Sequence, residues 1–283
     1  MHSQSAAGAD AIERQVMTVA GAHFPTLCRQ WRRTRHLSQL QLAETAAISQ
    51  RHLSWLETGR SKPSREMVVR LAEALEIPLR ERNTLLNAAG FAPLYRESTL
   101  DEPHMAPIRE ALSRVLEHHH PYPALVVDRK WNWVMGNPAA EMLIGLSEGS
   151  VEVGAGHTPF NLAAATLAPQ GLRRYIRNVE TALPLFVQRL RSEALASGDP
   201  GVIAHIEALL RNAGDLPALR SQQDPLLPVI PLELDIDGLR LSLFTVLSTF
   251  GTPQDITTDE LRIEAFYPSD EETRHFFSAS AEA

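Results

Sequence analysis

An arginine can offer two parallel N–H donors to the two acceptors on the major-groove edge of guanine, and a glutamine can match the donor and acceptor of adenine. Gln50, Arg51, Ser54 and Trp55 bring such groups together in one short segment. At about 100° per residue along an α-helix, Arg51, Ser54 and Trp55 gather on one face, with Gln50 at its exposed start. Leu53 and Leu56 continue from Ile48 and fix the opposite, inward face. An outward face of this composition can hydrogen-bond or pack against base edges. After Thr58-Gly59 come Arg60, Ser61, Lys62 and Pro63, a short basic loop suited to phosphate contacts. The polar face taken alone is common to any amphipathic helix, so the flanking elements must decide whether it reads DNA.

Those elements carry clear boundary signals. Phe24, Leu27, Cys28 and Trp31 recur at helical spacing. Ser38 can cap a second helix, Gln41 can complete a capping box, and Leu37 with Leu42 are spaced as a hydrophobic staple. Ser49 can cap the third helix, with Ile48 and Leu53 again at staple positions. Two short helices with separate entry signals and only a few residues between them spell helix-turn-helix. Ser64 opens a fourth helix carrying Met67, Val68, Leu71, Ala72 and Leu75. A fifth follows Pro78, carries Leu85, Leu86 and Ala89, and stops at Gly90.

Charge sorts the same way. The chain has 27 Lys and Arg against 34 Asp and Glu, a net charge of −7. Yet His23 to Gly90 holds eleven basic and six acidic residues. A basic module is joined to an acidic one, which localises any nucleic-acid contact to the first. The single cysteine, Cys28, excludes an intramolecular disulfide and makes no metal framework. No segment has the length and apolarity of a membrane span, and Met1 to Asp10 does not read as a secretory signal. A cytoplasmic protein is expected.

The stretch LSQLQLAETAAISQRHLSWLETGRSKPSREMVVRLAEALEIP resembles the phage-repressor type of helix-turn-helix, the XRE family. The resemblance covers roughly His23 to Gly90 and implies an all-α, five-helix, lambda-repressor-like domain. It implies a phosphate contact from Gln39, and base and phosphate contacts from Ser49, Gln50, Arg51, Ser54 and Trp55. Trp55 departs from the polar residue usual there; a thymine methyl or the second helix could receive it.

Phe91 to Pro107 holds three prolines and little periodicity, and reads as a linker with a docked start. Ile108, Leu112, Val115 and Leu116 form an amphipathic helix. His118, His119 and His120 follow it, but consecutive side chains point apart and make a poor chelate. They read as a solvated helix end, and no metal site is expected. Ala124 to Asp128 and Trp131 to Gly136 are strands, and Asn137-Pro138 caps a helix through Ile144. Helices follow over Phe160–Leu167, Gly171–Ala196 and Val202–Arg211. Pro231–Ile236, Leu239–Leu247 and Leu261–Tyr267 read as strands, the first pair joined by an Asp237-Gly238 hairpin turn. Thr252 to Glu260 reads as a polar loop. The sum is an α+β domain with a small antiparallel sheet.

This half is similar to the MmyB-type ligand-binding domain, a PAS-like module. The similarity is carried by PALVVDRKWNWVMGNPAAEMLIG, by NLAAATLAPQGLRRYIRNVETALPLFVQRLRSEA and by FTVLSTFGTPQDITTDELRIEAFYPSDEETR. It implies a transcription regulator whose ligand is a fatty acid or a similar lipophilic molecule. The expected organisation is a tail over 1–20, a DNA-binding domain over 21–92, a linker over 93–107, the ligand-binding domain over 108–277 and a tail over 278–283. Trp131, Trp133, Met135, Phe160, Phe186, Phe244 and Phe266 can line an apolar pocket, although a residue of this kind taken singly is more often plain core. Arg174, Tyr175 and Asn178 fall on the expected Gly171–Ala196 helix, Arg174 and Asn178 four residues apart. They suit either a clamp for an acid head group or a tie between helix and sheet.

Catalytic signatures are missing: no Gly-rich phosphate loop, no His-Glu-x-x-His, no Gly-x-Ser-x-Gly. His157 is the best-placed candidate for a haem ligand, without a second haem signature beside it. No cofactor is expected beyond a bound lipophile, and no enzyme activity. The sequence thus describes a homodimeric regulator bound to a double-stranded DNA operator and modulated by a lipophilic effector. Two alternatives stand beside it: a ligand-independent DNA-binding protein whose C-terminal domain only dimerises, and an enzyme with a DNA-binding appendage.

Overall fold

Helices of two or three turns are marginal in water and persist only when an apolar face is buried against others. In the computed structural model, which describes residues 23–148, 160–217 and 231–281, the first five helices meet that condition jointly. They are α1 (Phe24–Thr34), α2 (Gln39–Thr45), α3 (Gln50–Glu57), α4 (Arg65–Ala74) and α5 (Leu79–Ala88). The tail expected over 1–20 and His157 lie outside the described residues. The chain divides into two compact units, the first built on these helices.

The entry signals work as their chemistry requires. Ser38 accepts a hydrogen bond from the Gln41 amide while Gln41 accepts one from the Ser38 amide, a complete capping box. Ser49 and Ser64 cap α3 and α4 by accepting from the amides of His52 and Met67. Each cap satisfies one of the unpaired N–H groups that a helix start leaves. The turn between α2 and α3 passes through Ala47 at φ 51°, and the Ile48 amide closes it on the Ala43 carbonyl. One core then holds the five helices, with Cys28, Leu42, Leu53, Leu56, Val68, Leu71, Ala72 and Leu85 fully buried. Burial pushes the Cys28 thiol up to about 12, the nearby Glu57 carboxylate adding to the effect, so Cys28 is an inert packing residue. The docked start of the linker has a definite agent. Asn83 accepts from the amides of Leu94 and Tyr95 and donates to the Tyr95 carbonyl.

The second unit is the α+β domain. Its five-stranded antiparallel sheet is formed by β1 (Ala124–Val127), β2 (Trp133–Gly136), β3 (Leu232–Ile236), β4 (Leu239–Ser248) and β5 (Arg262–Pro268), in the order β2-β1-β5-β4-β3. Two hairpins thus flank β5, the last strand in sequence and the central one in space. Its helices are α6 (Ala106–His118), α7 (Pro138–Glu148), α8 (Leu162–Leu167), α9 (Val179–Ser197), α10 (Pro200–Asn212), α11 (Ile256–Glu260) and α12 (Glu271–Ala281).

Register decides what each face carries, because successive side chains on a strand point to opposite sides. Ala124, Val126 and Ile263 turn to the face covered by Leu112 and Leu116 of α6. Leu125, Glu264 and Leu247 form a row on the other face. Asn137 joins the parts: buried, it donates to the carbonyls of Leu116 and Tyr122 and accepts from the amides of Ala124 and Ala140. It therefore caps α7 as expected and also ties together the end of α6 and the start of β1.

Several sequence expectations need correction. The helix expected over Gly171–Ala196 is broken: a 3-10 turn over Leu172–Tyr175 gives way to extended Ile176, which bridges to Leu234, before α9 begins. A β-bridge competes successfully there with continued helix. The Thr252–Glu260 loop contains α11. The tail expected over 278–283 is instead helical through Ala281, because Phe277 of α12 is buried in the core with Ile236, Leu241 and Leu243. His119 is more than a solvated helix end; its Nε2 lies 2.7 Å from the Phe266 carbonyl and its ring packs edge-on against Tyr267 at 4.7 Å. Truncating Phe277 to alanine should destabilise the second unit by about 3–5 kcal/mol. Hydrogen exchange read peptide by peptide should show the loss in the sheet and leave the five-helix unit unchanged.

Candidate functional site

Recognition by a helix requires a rigid frame behind it and free polar groups in front. Behind α3 the frame is Glu57, whose side chain is only 1% exposed. Arg32 grips it with two hydrogen bonds, Nε to Oε1 at 2.6 Å and Nη2 to Oε2 at 3.0 Å. Gln39 donates to Oε2 at 2.8 Å, and Arg29 donates to the Glu57 backbone carbonyl. Burial pushes the carboxyl up, but the hydrogen bonds from Arg32 and Gln39 and the charges of Arg32 and Arg29 outweigh it, holding Glu57 below the usual carboxylate range. Arg32 also donates to the Leu37 carbonyl at 2.8 Å. Thus α1, the start of α2 and the end of α3 are locked by one buried ion.

In front, Gln50, Arg51 and Trp55 are exposed and Ser54 is half-buried. The Arg51 guanidinium lies 4.6 Å over the Trp55 ring. Trp55 therefore presents its indole outward with Arg51 upon it, where both reach the solvent face of α3. Arg60 and Lys62 are exposed on the loop that follows. Gly59 at φ 73° lets that loop fold back, so that the Arg60 and Ser61 amides both bond to the Trp55 carbonyl. Two residues serve the frame as well. The Ser49 hydroxyl is the α3 cap, and the Gln39 amide is engaged on Glu57. Sequence reasoning missed Glu57 because the α3 stripe was traced through Leu53 and Leu56 alone; its adjacency to Leu56 and the paired arginines of α1 were the available signal.

The second unit contains a cavity of about 270 Å³, just below the ~300–1,000 Å³ common for ligand pockets. Its floor is the sheet face bearing Leu125, Thr245, Glu264 and Phe266, and its walls come from α7, α8, α9 and β3. Of the residues expected to line a pocket, Trp131, Tyr175, Phe186 and Phe266 do so. Trp131 reaches it from a turn held by Asp128, with φ at 68°, a left-handed conformation costly for a bulky residue. Its ring packs edge-on against Phe186 at 5.1 Å.

The others lie elsewhere for simple reasons of register. Phe244 pairs across the sheet with Tyr267 and stacks on it at 5.3 Å, on the face opposite Thr245. Met135 pairs with Val126 and joins the α6 cluster. Trp133 and Phe160 pack against each other at 6.3 Å without lining the cavity. The Arg174–Asn178 clamp does not form, because the break before α9 removes the helical spacing it needs. Asn178 instead accepts from the Glu233 amide and donates to the Pro231 carbonyl, while Arg174 bonds the Tyr175 hydroxyl at 2.7 Å.

The polar centre of the cavity is a pair that sequence reasoning did not single out. Arg189 of α9 meets both Glu264 oxygens, Nη1 at 3.1 Å from Oε2 and Nη2 on Oε1, and its Nε donates to Glu193 at 2.7 Å. Its guanidinium lies 4.9 Å over the Trp131 ring. Burial pushes the Glu264 carboxyl up, partly offset by Arg189; Arg189 itself stays charged because Glu264 and Glu193 outweigh its own desolvation. Glu264 was visible as a lone acid alternating with apolar residues on a strand.

These features define a helix-turn-helix DNA-binding module followed by a ligand-binding module. A model of the helix-turn-helix domain matches residues 27–85. The model described as MmyB-like transcription regulator ligand binding domain matches residues 108–279, more than half of the chain. The chain belongs to this family of transcription regulators. No curated protein matches it. No helix of the described residues is long and apolar enough to cross a membrane.

Because Glu57 titrates below its unfolded value of about 4.3, its contribution to stability is full above that pH and declines as pH falls through the folded value. Denaturant unfolding of the five-helix unit should therefore show stability falling below pH ~4.3. Glu57→Gln should flatten that part of the profile while lowering stability at pH 7. An unaltered profile would remove Glu57 as the anchor.

Proposed function

We propose that this regulator binds a double-stranded DNA operator as a homodimer, inserting α3 into the major groove, and that a lipophilic small molecule in the cavity sets its operator affinity. The observation that carries the first part is the exposed Arg51–Trp55 pair on a helix whose back is locked by Glu57. Gln50, Arg51, Ser54 and Trp55 supply base contacts; Gln39, Ser49, Arg60 and Lys62 supply phosphate contacts and register. Gln39 and Ser49 keep a dual role, because a side chain already held by the frame meets a phosphate with little further loss of entropy. A helix as short as α3 reads only a half-site, so two subunits about one helical turn apart, ~34 Å, supply the rest. Such a protein works in the cytoplasm, on the nucleoid, and has no catalytic step.

The cavity supports the second part. A domain that only dimerised would be expected to fill its core, whereas about 270 Å³ framed by leucine, isoleucine and aromatic side chains suits the apolar body of a fatty-acid-like effector. Coupling between the two sites of such a regulator is typically about 1–3 kcal/mol.

Arg51→Ala should weaken operator binding by roughly 1–3 kcal/mol and relax selectivity at one base position. Binding-site selection on the variant and the parent checks this, and unchanged selectivity would take Arg51 out of base reading. For the effector, native mass spectrometry before and after organic extraction should reveal a lipophilic adduct whose return changes operator affinity about 5- to 150-fold. Operator affinity indifferent to every lipophile would leave a constitutive DNA-binding protein.

A further inference from the structure

A sheet edge presents a row of amides and carbonyls that can pair with another strand, and proteins blunt it with charges, proline, bulges or a cover. The sheet of the second unit treats its two edges differently. At one edge β2 is short, its pairing with β1 is interrupted by a bulge at Val126/Val127, and Phe160 and Asn161 bond alongside it. At the other edge β3 is too short to cover its neighbour. It runs beside Leu239–Leu243 of β4 and begins at Leu232, directly opposite Leu243. β4 continues to Ser248, and along that stretch it pairs only with β5, on its other side.

Along a strand, the N–H and C=O groups of alternate residues point to opposite edges. The Ser242 carbonyl accepts from the Ser269 amide on the β5 side. Val246 and Ser248 therefore turn their backbone groups toward β5, while Thr245 and Leu247 turn theirs to the bare edge. Among the described residues, none bonds to them there. Thr245–Thr249 are exposed. Val246 is 42% and Leu247 41% exposed, although they project from opposite faces of the sheet. This end of β4 thus stands clear of the layers on both sides. Leu241–Phe250 contains no charged residue and no proline, so the usual protection of an edge is missing.

The run is complementary to itself. Laid antiparallel on a second copy, with Val246 on the twofold axis, Thr245 stands opposite Leu247 of the partner subunit. Leu247 stands in turn opposite the partner's Thr245. These residues carry the free backbone groups, so both pairs exchange N–H···O bonds, and the two Val246 side chains meet at the close spacing of a non-hydrogen-bonded pair. An uncharged run brings no like charges together. A self-complementary patch of this kind gives the twofold symmetry that a paired half-site demands.

From this geometry, and resting on the dimeric DNA-binding reading above, we propose that the free edge of β4 centred on Val246 is the surface through which two copies of this chain pair, joining their sheets into one. Thr245 also lines the cavity. The pairing therefore brings Leu247 of the partner subunit to the cavity rim, next to the effector site. A contact confined to Phe244–Ser248 is small beside the ~1,200–2,000 Å² of stable interfaces. The pair is accordingly reversible in solution and reinforced when two subunits sit side by side on DNA.

The test uses full-length protein carrying Val246→Cys. The one native cysteine, Cys28, is buried, so mild oxidation should link two chains only through position 246, where a twofold axis brings the two thiols together. Val115→Cys, on α6 and 46% exposed in the parent, is the control for random collision and should give little covalent dimer. Independently, Val246→Lys sets two like charges face to face and should weaken the dimer at least about tenfold by sedimentation equilibrium. That position is exposed, and circular dichroism should show the fold unchanged. Crosslinking no better than the control, with a dimer untouched by Val246→Lys, overturns the inference and leaves a dimeric regulator that pairs elsewhere. A protein that stays monomeric both free and on an operator recovered by binding-site selection overturns the dimeric reading as well.

Discussion

A carboxylate taken out of water must be met by a cation or by several donors, since leaving it unpaired costs several kcal/mol. Both units are organised around meeting that demand. In the five-helix unit the most deeply buried carboxylate among the described residues is Glu57, and satisfying it draws Arg32, Arg29 and Gln39 onto the end of α3. In the α+β unit it is Glu264, and satisfying it draws α9 onto the central strand through Arg189. Apolar packing supplies most of the stability in each case, but it is tolerant of small rotations. A bidentate ion pair is not, because its two parallel hydrogen bonds cannot both keep their length and angle when either partner turns.

The two pairs serve different ends. Glu57 lies behind the face it orients, so its charge is spent on the frame and the outward groups of α3 remain free. Arg51 over Trp55 is held in front by a contact of its own. Glu264 lies at the floor of the cavity it helps to build, so its charge belongs to the site. The same chemistry is structural in one unit and sets the electrostatics of a pocket in the other. The difference is whether solvent-sized space adjoins the carboxylate.

Stability and site formation are also coupled through backbone details. Asn137 meets four backbone groups and thereby fixes where β1 begins relative to α7, the wall of the cavity. Trp131 occupies a left-handed turn that places its ring under Arg189 and against Phe186. Strain of this kind persists where surrounding contacts over-determine the conformation, and here those contacts are the hydrogen bonds of Asp128 and the aromatic packing.

Local sequence was sufficient for much of this. Capping serines, staple spacings and helix-ending glycines act within a few residues, so the five helices, the exposed face of α3 and the hairpin at Asp237-Gly238 could be read directly. The two-module order and the antiparallel sheet followed from periodicity and from resemblance. Other features depend on partners distant in the chain. Pairing of Glu264 with Arg189 spans 75 residues, and Glu57 with Arg32 spans 25. The side on which Phe244 or Met135 falls depends on strand register, which a one-residue slip inverts. Of the two readings open for Arg174 and Asn178, the clamp failed because a bridge from Ile176 to Leu234 broke the helix that would have aligned it, while Asn178 ties that segment to the sheet. The C-terminal residues became a helix because Phe277 had a core to enter. Sequence alone thus determined the elements and the outward chemistry of α3, which are local. Only the tertiary structure decided which charges are buried together and what the cavity can hold, because burial and pairing are properties of the assembled fold.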